Sequence, residues 1–486
     1  MAARLGLLTL PSRRRVAALV VCLATIGVSA FSVTSRRQLG PIGGMTDEWH
    51  PLGANLAVNG VLGMEKEPWI LRPPGYPAFV ALLLKASGPP PVSTWAWRVQ
   101  CRPLVYAGQA VLLAAAATLL YVWLSGWMRL EVALAAALLF GLNPLVLAWI
   151  GLLHYTTLHL LGLVAGMWAL QWAFREPDRL ARLAGAGVLL GLVTLVRPVT
   201  LPLPLFVLVA LALLRRGSWL PALRATAVFT LGMAAVILPW TARNYAASGR
   251  LVPVNLQAGV VFWAATEKPL PWDPDRYVWF DVGEELLRVH TRVTGMEQYD
   301  IVTFVHRLPE LEAEYRREAL LNLRRDPSVY ARNVVRVVWA VAAQTSTALP
   351  RAFVRLRGDS SPEGARPRWF GKGAAELGSP GLALALRLLF GALTVLAAAG
   401  AVLGARARDQ ALLGPVTLLA CVTAAHAVTH LDLLHHYVRL PFLVVLAFYA
   451  LDRLAQPGSP AARVALAAGF ALAGASLVLT AWVLFF

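Results

Sequence analysis

The chain has 486 residues, of which 58% are hydrophobic and 14% are charged. A soluble domain of this size needs more charge to cover its surface, so the composition excludes an ordinary soluble protein and favours a membrane protein. The net charge of +18 does not indicate nucleic-acid binding, because short cytoplasmic loops of membrane proteins accumulate arginine and lysine.

Apolar segments recur along the chain, most of them near the length of about 20 residues with which a helix crosses a bilayer. They are rich in Leu, Ala and Val and lack the alternation of barrel strands, which indicates helices. The eleven segments are 16–34, 103–124, 132–150, 156–174, 183–196, 198–214, 225–241, 382–404, 411–429, 437–451 and 464–486. We therefore predict an all-α polytopic membrane protein with about 11 (11–13) transmembrane helices.

The basic residues predict an orientation. Arg13–Arg15 precede the first apolar segment, which places the N-terminus in the cytoplasm. The stretches 35–102 and 242–330 then lie outside, and they contain four and 13 of the 26 acidic residues. We predict an N-terminal transmembrane module over 1–241 that includes the outer loop 35–102. An extracytoplasmic cap (242–330) and a C-terminal transmembrane module (331–486) follow.

The orientation of the second half of the chain depends on the stretch 331–349, a short apolar run that Arg332 and Arg336 interrupt. If this stretch lies along the membrane surface, His435 and His436 are outside. If it crosses the membrane, they are inside, and counting of basic residues slightly favours that crossing. We favour the interfacial orientation, because the family resemblance described below requires it.

The first outer loop places two carboxylates close to the membrane. Asp47 and Glu48 follow the first apolar segment, and an apolar pattern over 54–61 predicts a short helix lying on the surface. The acids could simply favour the dipole at the start of that helix. A carboxylate at this height could instead act as a general base.

A rigid turn follows in the same loop. The residues Arg72-Pro73-Pro74-Gly75-Tyr76-Pro77 precede an apolar stretch over 78–84 that predicts another helix. Prolines fix φ and glycine permits a tight bend, so this segment holds its side chains in place, as a catalytic site requires. The turn could also be a simple helix entry.

These features resemble the C-type integral-membrane glycosyltransferases. Within that superfamily, the chain resembles the bacterial branch, whose members are similar to dolichyl-phosphate-mannose–protein mannosyltransferases and lipid A aminoarabinose transferases. The first matching piece is the combination of the DE pair, the surface helix and RPPGYPAFVALLL in the first outer loop. Four further pieces follow: LVRPVTLPLPL (195–205), LPWTARNYAASGRLVPVNLQAGVVFW (238–263), EAEYRREALLNLRRDPSVYARNVVR (312–336) and HHYVRLPFLVVLAFYALDRL (435–454). Five pieces in the right order are fairly specific. The resemblance implies the C-type glycosyltransferase fold, with amphipathic interfacial helices in the two outer loops and a hydrophobic strand within the segment 238–263.

The resemblance also implies a reaction. A sugar would move from a polyprenyl-phosphate donor to an acceptor on the outer face of the membrane, with inversion by direct displacement. The phosphate leaves as a stable anion, so the chemistry needs a base for the acceptor and cations for the phosphate. Asp47 is the candidate base, and Glu48 is its orienting neighbour or a metal ligand. The acceptor, a lipid, protein or glycan, is not identified, and no nucleic acid is expected as a partner.

Arginine suits the phosphate, because its planar fork matches phosphate oxygens. The arginines considered sit where apolar runs meet outer loops, where an arginine could also simply reach lipid headgroups. The phosphate-binding candidates are Arg72, Arg197, Arg243, Arg439 and Lys268. The candidates for acceptor or substrate contacts are Tyr76, Tyr245, His435 and His436. No cofactor is certain; a divalent metal is a candidate, with Asp47, Glu48 and His50 as its ligands.

Two alternatives remain at this stage. A flippase or transporter of lipid-linked glycan would usually place acids near the bilayer midplane. The spans are instead almost free of ionisable residues, apart from His154 and His159 near the outer end of one span, Arg387 and His426. A glycan polymerase or ligase would also use outer-loop arginines but does not need the DE pair. The predicted location is the bacterial cytoplasmic (inner) membrane, with the active site facing outward.

Overall fold

A computed structural model describes residues 11–35, 49–64, 66–88, 102–147, 149–151, 153–215, 217–272, 282–297, 305–343, 380–429, 437–455 and 460–485. The candidate residues Asp47, Glu48, His435 and His436 lie outside the described residues, so their predicted roles concern positions that the structure does not describe.

The described chain is almost entirely α-helical. The helices of the first half are α1 (Ser12–Ser35), α2 (Trp49–Asn59), α3 (Gly75–Ala86), α4 (Arg102–Leu124), α5 (Leu130–Gly141), α6 (Pro144–Leu147), α7 (Thr156–Arg175), α8 (Leu180–Val196), α9 (Leu203–Leu214) and α10 (Trp219–Ser248). Those of the second half are α11 (Ala258–Glu267), α12 (Gly283–Thr294), α13 (Leu308–Arg325), α14 (Pro327–Ala343), α15 (Pro380–Ala407), α16 (Leu413–Ala427), α17 (Leu440–Leu454) and α18 (Pro460–Phe485).

Each of the eleven apolar segments is helical, and 132–150 contains two helices, α5 and α6, which confirms the all-α prediction. In the described residues, eight helical stretches are long and apolar enough to cross a membrane: Ser12–Thr34, Pro103–Leu124, Leu130–Leu147, Thr156–Arg175, Trp219–Ser248, Gly381–Ala407, Gln410–Ala427 and Arg463–Thr480. The other three segments form shorter apolar helices, α8, α9 and α17. Of these, α17 is almost wholly buried, which explains its apolar residues on every side.

Small residues let the helices that carry the site approach closely. At Gly187 of α8, an added Cβ would collide with the backbone carbonyl of Phe229 in α10. At Gly232 of α10, it would collide with the backbone carbonyl of Ala184 in α8. Without a hydrophobic drive between helices in lipid, such close backbone contact is what favours their association. The end of α8, where Arg197 lies, is therefore held firmly against α10.

The two outer loops share one hydrophobic core. The first loop contains α2, an antiparallel strand pair (Gly63–Met64 with Glu67–Pro68) and α3, so both helices predicted there are confirmed. Buried side chains of this loop pack with buried side chains from α11 and α13: Leu52, Leu62, Trp69, Ile70 and Leu71 with Val260, Trp263, Leu311 and Tyr315. The loops therefore form one extramembrane unit.

The second outer loop differs from the sequence interpretation in two places. The helix α10 continues through 241 to Ser248, so the predicted module boundary falls inside a helix. The hydrophobic strand expected within 238–263 is wrong, because 251–257 form no strand and Ala258–Glu267 is the helix α11. Its Val260, Trp263 and Ala264 lie on one face at helical spacing and pack on α13. The amphipathic helix expected over 309–325 is confirmed as α13.

The helix α14 occupies much of the ambiguous stretch 331–349 and is bound along the second outer loop. The Asn333 amide donates to the carbonyls of Ala265 and Lys268 at 2.9 Å each and accepts from the Leu270 N–H at 2.9 Å. The Arg336 guanidinium donates to the Pro271 carbonyl. These bonds fasten the middle of α14, at Asn333 and Arg336, to the second outer loop.

Candidate active site

The rigid turn of the first outer loop places Arg72 and Tyr76 on one side of Trp49. The Arg72 guanidinium lies over the Trp49 ring at 5.3 Å from its centroid, and the Tyr76 ring meets that indole edge-on at 5.9 Å. Tyr76 is fully buried, and its hydroxyl donates to Gln109 Oε1 at 2.6 Å. The start of α3 is therefore fastened to the transmembrane helix α4.

Gln109 extends this connection to the segment between α6 and α7. Its Nε2 donates to the Ile150 carbonyl at 2.8 Å, and its Oε1 also accepts from the His154 N–H at 3.3 Å. A buried amide that makes several such bonds orders every segment it contacts. One side chain of α4 thus aligns the arginine turn with the residues before α7.

The turn also contacts the end of α8. A Cβ added to Gly75 would lie 2.7 Å from Val196 Cγ2 and 2.9 Å from Val196 Cα. Only glycine leaves room for this approach, which brings the Arg72 turn next to the residue that precedes Arg197. Two segments predicted separately, RPPGYP and LVRP, are therefore in direct contact.

An aromatic cluster lies between the two arginines. The His154 ring stacks on Trp149 at 4.3 Å and lies 3.9 Å from the Tyr155 ring, and the Trp49 ring meets Tyr155 at 5.2 Å. The Arg197 guanidinium lies 5.9 Å from the Tyr155 centroid. Arg72 over Trp49 and Arg197 over Tyr155 thus flank one cluster.

The charge state of His154 reflects these neighbours. Burial lowers the pKa of His154 well below its usual value, and the positive charges of Arg197 and Arg72 lower it further. The imidazole is therefore neutral at physiological pH, and its Nδ1 lies 2.6 Å from the Thr156 hydroxyl. The positive charge of this region belongs to the arginines, which suits it to an anion.

Arg197 is buried in a polar network of its own. Its Nη2 lies 2.9 Å from His426 Nε2, and its Nη1 donates to the Tyr437 hydroxyl at 3.4 Å. His159 Nδ1 lies 3.2 Å from the same hydroxyl. Arg439, at the start of α17, is also buried and follows Tyr437 by two residues. The structure thus brings Arg197 close to the segment that contains Arg439.

Arg243 connects the two outer loops. Its Nη1 donates to the Trp69 carbonyl at 2.7 Å, its Nη2 donates to the Leu62 carbonyl at 2.7 Å, and its guanidinium lies over the Trp240 ring at 4.7 Å. These bonds give Arg243 an evident structural role beside the phosphate-binding role predicted for it.

Lys268 and Tyr245 stand apart from the cluster between Arg72 and Arg197. Lys268 forms an ion pair with Glu285 at 3.0 Å within the second outer loop. Tyr245 is exposed near the end of α10. Among the described contacts, none joins either residue to the cluster.

The candidate metal ligands are described only in part. His50 is buried near the start of α2, whereas Asp47 and Glu48 lie outside the described residues. Among the described residues there is no group of three or more His, Cys, Asp and Glu side chains that could hold a metal ion. The metal therefore stays a prediction that rests on the DE pair.

Several residues of the site were not singled out by sequence reasoning as site residues: Trp49, Gln109, Trp149, Tyr155 and Tyr437. Gln109 carries a signal, because it is an amide inside the apolar segment 103–124 and such a group must find partners. The aromatic residues carry none, since they are common at membrane interfaces whatever their role.

Comparison with solved structures identifies the fold. The archaeal oligosaccharyltransferase AglB from Archaeoglobus fulgidus, in complex with an inhibitory peptide and a dolichol-phosphate, matches with a TM-score of 0.51 and 16% identity. The match covers 95% of this chain and 55% of that one. The chain has the C-type membrane glycosyltransferase fold. The fold class and the resemblance predicted from the sequence are confirmed at this level.

Two further solved structures are similar to the chain at lower TM-scores. Another structure of the Archaeoglobus fulgidus oligosaccharyltransferase, with Zn and sulfate, has a TM-score of 0.48 at 14% identity and covers 95% of this chain and 53% of that one. ArnT from Cupriavidus metallidurans bound to undecaprenyl phosphate has a TM-score of 0.38 at 13% identity, over 91% of this chain and 81% of that one. This chain spans about half the length of the archaeal enzyme. No family model and no curated protein matches it.

Proposed function

We propose that the chain is a glycosyltransferase that moves a sugar from a polyprenyl-phosphate donor to an acceptor at the outer face of the bacterial inner membrane. The observation that supports this most directly is that Arg72 and Arg197 contact two neighbouring rings, Trp49 and Tyr155, of one aromatic cluster. The AglB structure of the same fold contains a dolichol-phosphate, a donor carrier of this chemical class.

The two arginines supply what the leaving group needs. As the glycosidic C–O bond breaks, its electrons pass to the phosphate oxygen, and negative charge builds there. Guanidinium groups held in a region with little water stabilise that charge before any reorganisation is required. The contact of Gly75 with Val196 supports a fixed spacing between the two arginines.

The base in this proposal is Asp47, two residues before Trp49. It would take the proton of the acceptor hydroxyl or amine as the acceptor attacks the anomeric carbon, with inversion. Glu48 would orient it or bind a metal together with His50. Trp49 anchors the start of α2 beside Arg72 and Tyr76, which supports placing the acids close to the phosphate.

Most of the other candidates keep their predicted roles within this proposal. Arg439 would add a third cation. Tyr76 is fully buried, so it would affect the substrate indirectly, by holding the turn that contains Arg72. Arg243, Lys268, Tyr245, His435 and His436 remain predicted contacts to phosphate or acceptor. Because Arg243 also bonds two backbone carbonyls, its two roles require separate tests.

The test uses purified protein and a labelled undecaprenyl-phosphate sugar, with product and released undecaprenyl phosphate separated by thin-layer chromatography. We expect Asp47→Asn to abolish transfer while the protein still inserts and melts normally. We expect Arg72→Ala and Arg197→Ala to weaken donor binding at least tenfold. The matched control is Arg224→Ala, an exposed arginine on α10.

The outcomes separate the alternatives. Normal turnover by Asp47→Asn contradicts the assigned base. Movement of intact labelled donor across a vesicle membrane without sugar release indicates a flippase. No consumption of the monophosphate donor, together with release of undecaprenyl pyrophosphate from a separately supplied undecaprenyl-pyrophosphate-linked glycan, indicates a polymerase or ligase.

A further inference from the structure

Behind Arg197 lies a buried chain of side chains from four different parts of the fold. Arg197 follows α8, His426 belongs to α16, Tyr437 precedes α17 and His159 belongs to α7. All four are less than one-tenth exposed. Burying a charged group is costly unless its hydrogen bonds are satisfied, so a network at this position has a definite geometry.

The protonation of His426 follows from its neighbours. Its Nδ1 lies 2.7 Å from the Val422 carbonyl, which can only accept, so Nδ1 carries the hydrogen. In the neutral ring, Nε2 then presents a lone pair, and it faces Arg197 Nη2 at 2.9 Å. His426 is therefore an acceptor for the guanidinium, locked in one tautomer by its own helix.

Tyr437 provides the second acceptor. Arg197 Nη1 donates to its hydroxyl oxygen at 3.4 Å, which leaves the phenol hydrogen to point elsewhere. His159 Nδ1 lies 3.2 Å from that oxygen and can accept the hydrogen. The Tyr437 hydroxyl is thus held between Arg197 and a residue of a third helix.

We propose that His426 and Tyr437 are positioning residues that fix the Arg197 guanidinium for a lipid phosphate; this rests on the proposed function. Acceptors on two nitrogens define the plane of the guanidinium. Its five N–H donors allow it to keep both partners while it offers a fork to phosphate oxygens. A long side chain already held in one rotamer loses less entropy when the phosphate binds.

The experiment measures binding of two probes to the full-length protein in nanodiscs: undecaprenyl phosphate, and undecaprenol, which lacks the phosphate. We expect His426→Leu and Tyr437→Phe each to weaken undecaprenyl phosphate binding about tenfold and to leave undecaprenol binding unchanged. Damage to the fold would weaken both probes together. His426→Gln, whose amide oxygen can accept from Arg197, should recover most of the affinity.

A matched control comes from the same helix. Thr417 is buried in α16, and its hydroxyl donates to the Leu413 carbonyl at 2.7 Å, away from Arg197. We expect Thr417→Val to leave both affinities unchanged. In an Arg197→Ala background, His426→Leu should cause no further loss, because its partner is already absent.

The results distinguish this proposal from the one on which it rests. If Arg197→Ala binds undecaprenyl phosphate normally, the phosphate role of Arg197 fails, and the positioning role fails with it. If Arg197→Ala weakens binding but His426→Leu and Tyr437→Phe do not, the phosphate role stands and the positioning role is wrong. Equal losses for both probes also overturn the positioning role.

Discussion

Gly75 and Val196 are in direct contact, and this contact joins the arginine turn of the first loop to the end of α8. A Cβ at Gly75 would lie 2.9 Å from Val196 Cα and 3.0 Å from the Leu195 carbonyl oxygen. Both neighbours are backbone atoms, which cannot rotate away. We expect Gly75→Ala to move Arg72 away from Arg197 and to lower turnover at least tenfold, measured by sugar transfer per folded protein.

The control for that change is Gly185→Ala. Gly185 lies in α8 as well, but an added Cβ meets nothing within 4 Å there. Alanine also favours a helix interior by roughly 1 kcal/mol over glycine, so this variant should be at least as stable as the parent. Equal turnover of the two alanine variants would show that the spacing between the segments is unimportant.

Arg243 gives a second prediction. Hydrogen bonds from a charged group contribute about 1.5–3 kcal/mol each, and Arg243 makes two with the first loop. We expect Arg243→Ala to release the segment between Leu62 and Trp69, so that limited proteolysis cuts there and turnover falls. Arg250→Ala removes an exposed arginine with one long bond, to the Pro309 carbonyl at 3.5 Å, and should leave the digestion pattern unchanged.

The same variant tests the phosphate role predicted for Arg243. Weaker binding of undecaprenyl phosphate with an unchanged digestion pattern would favour contact with the donor. New cleavage with unchanged binding would favour the connection between the loops.

Gln109 gives a third prediction. It bonds Tyr76, the Ile150 carbonyl and the His154 N–H, so Gln109→Leu leaves three buried groups without these partners, whereas Tyr76→Phe removes one bond. We expect Gln109→Leu to lower the free energy of unfolding by about 3 kcal/mol and Tyr76→Phe to lower it by about 1 kcal/mol. Turnover should also fall further in Gln109→Leu.

Gln171 is a matched control for Gln109. It is also buried in an apolar helix, where it accepts from Trp123 Nε1 at 2.6 Å and donates to the Ala411 carbonyl at 3.0 Å. We expect Gln171→Leu to lower stability similarly but to preserve turnover of the protein that remains folded. Loss of turnover in both variants would mean that Gln109 contributes only stability.

The buried carboxyl group of Glu312 predicts that the folding stability of the two packed outer loops depends on pH. Burial raises the pKa of Glu312, although its carboxylate accepts from the backbone N–H groups of Gly259 and Val260. A pKa raised on folding means that the folded state binds the proton more tightly. The resulting stability is fully present below the unfolded pKa of 4.5 and is lost as pH rises through the folded value.

The measurement compares melting temperatures from pH 4.5 to 7.5. We expect the parent to lose stability with rising pH relative to Glu312→Gln, which cannot titrate. Glu310→Gln, an exposed acid on the same helix, should follow the parent. A constant difference between the parent and Glu312→Gln across this range would contradict the prediction.

The sequence predicted the helices well because each apolar run must satisfy its own backbone hydrogen bonds in lipid. It failed over 258–267, where Val260 and Trp263 lie on one face of a short helix and a brief apolar run does not distinguish helix from strand. The end of α10 was not predicted, because Arg243 and Asn244 end the apolar run but not the helix, which continues to Ser248.

The site was predicted as separate segments rather than as an arrangement. Arg72 and Arg197 were selected because arginines at helix ends suit phosphate, but nothing in the chain between them indicates that Gly75 meets Val196. The hydrogen bonds of Arg243 could not be predicted either, because it donates to backbone carbonyls, which residues of every type have. His159 and His426 were noticed as ionisable groups in apolar segments, but the shared partners that give them a role are set by packing.

The length of α10 has a consequence for the lipid that surrounds the protein. Its 30 residues extend about 45 Å, whereas the hydrocarbon layer is about 30 Å thick. Arg243 follows the apolar run 225–241, so Arg243 and the first loop that it holds belong to the surplus. A continuous helix accommodates a thicker or thinner bilayer mainly by tilting. We therefore expect acyl-chain length to change the height of the loop relative to the headgroups, and membrane thickness to be a variable of the proposed reaction.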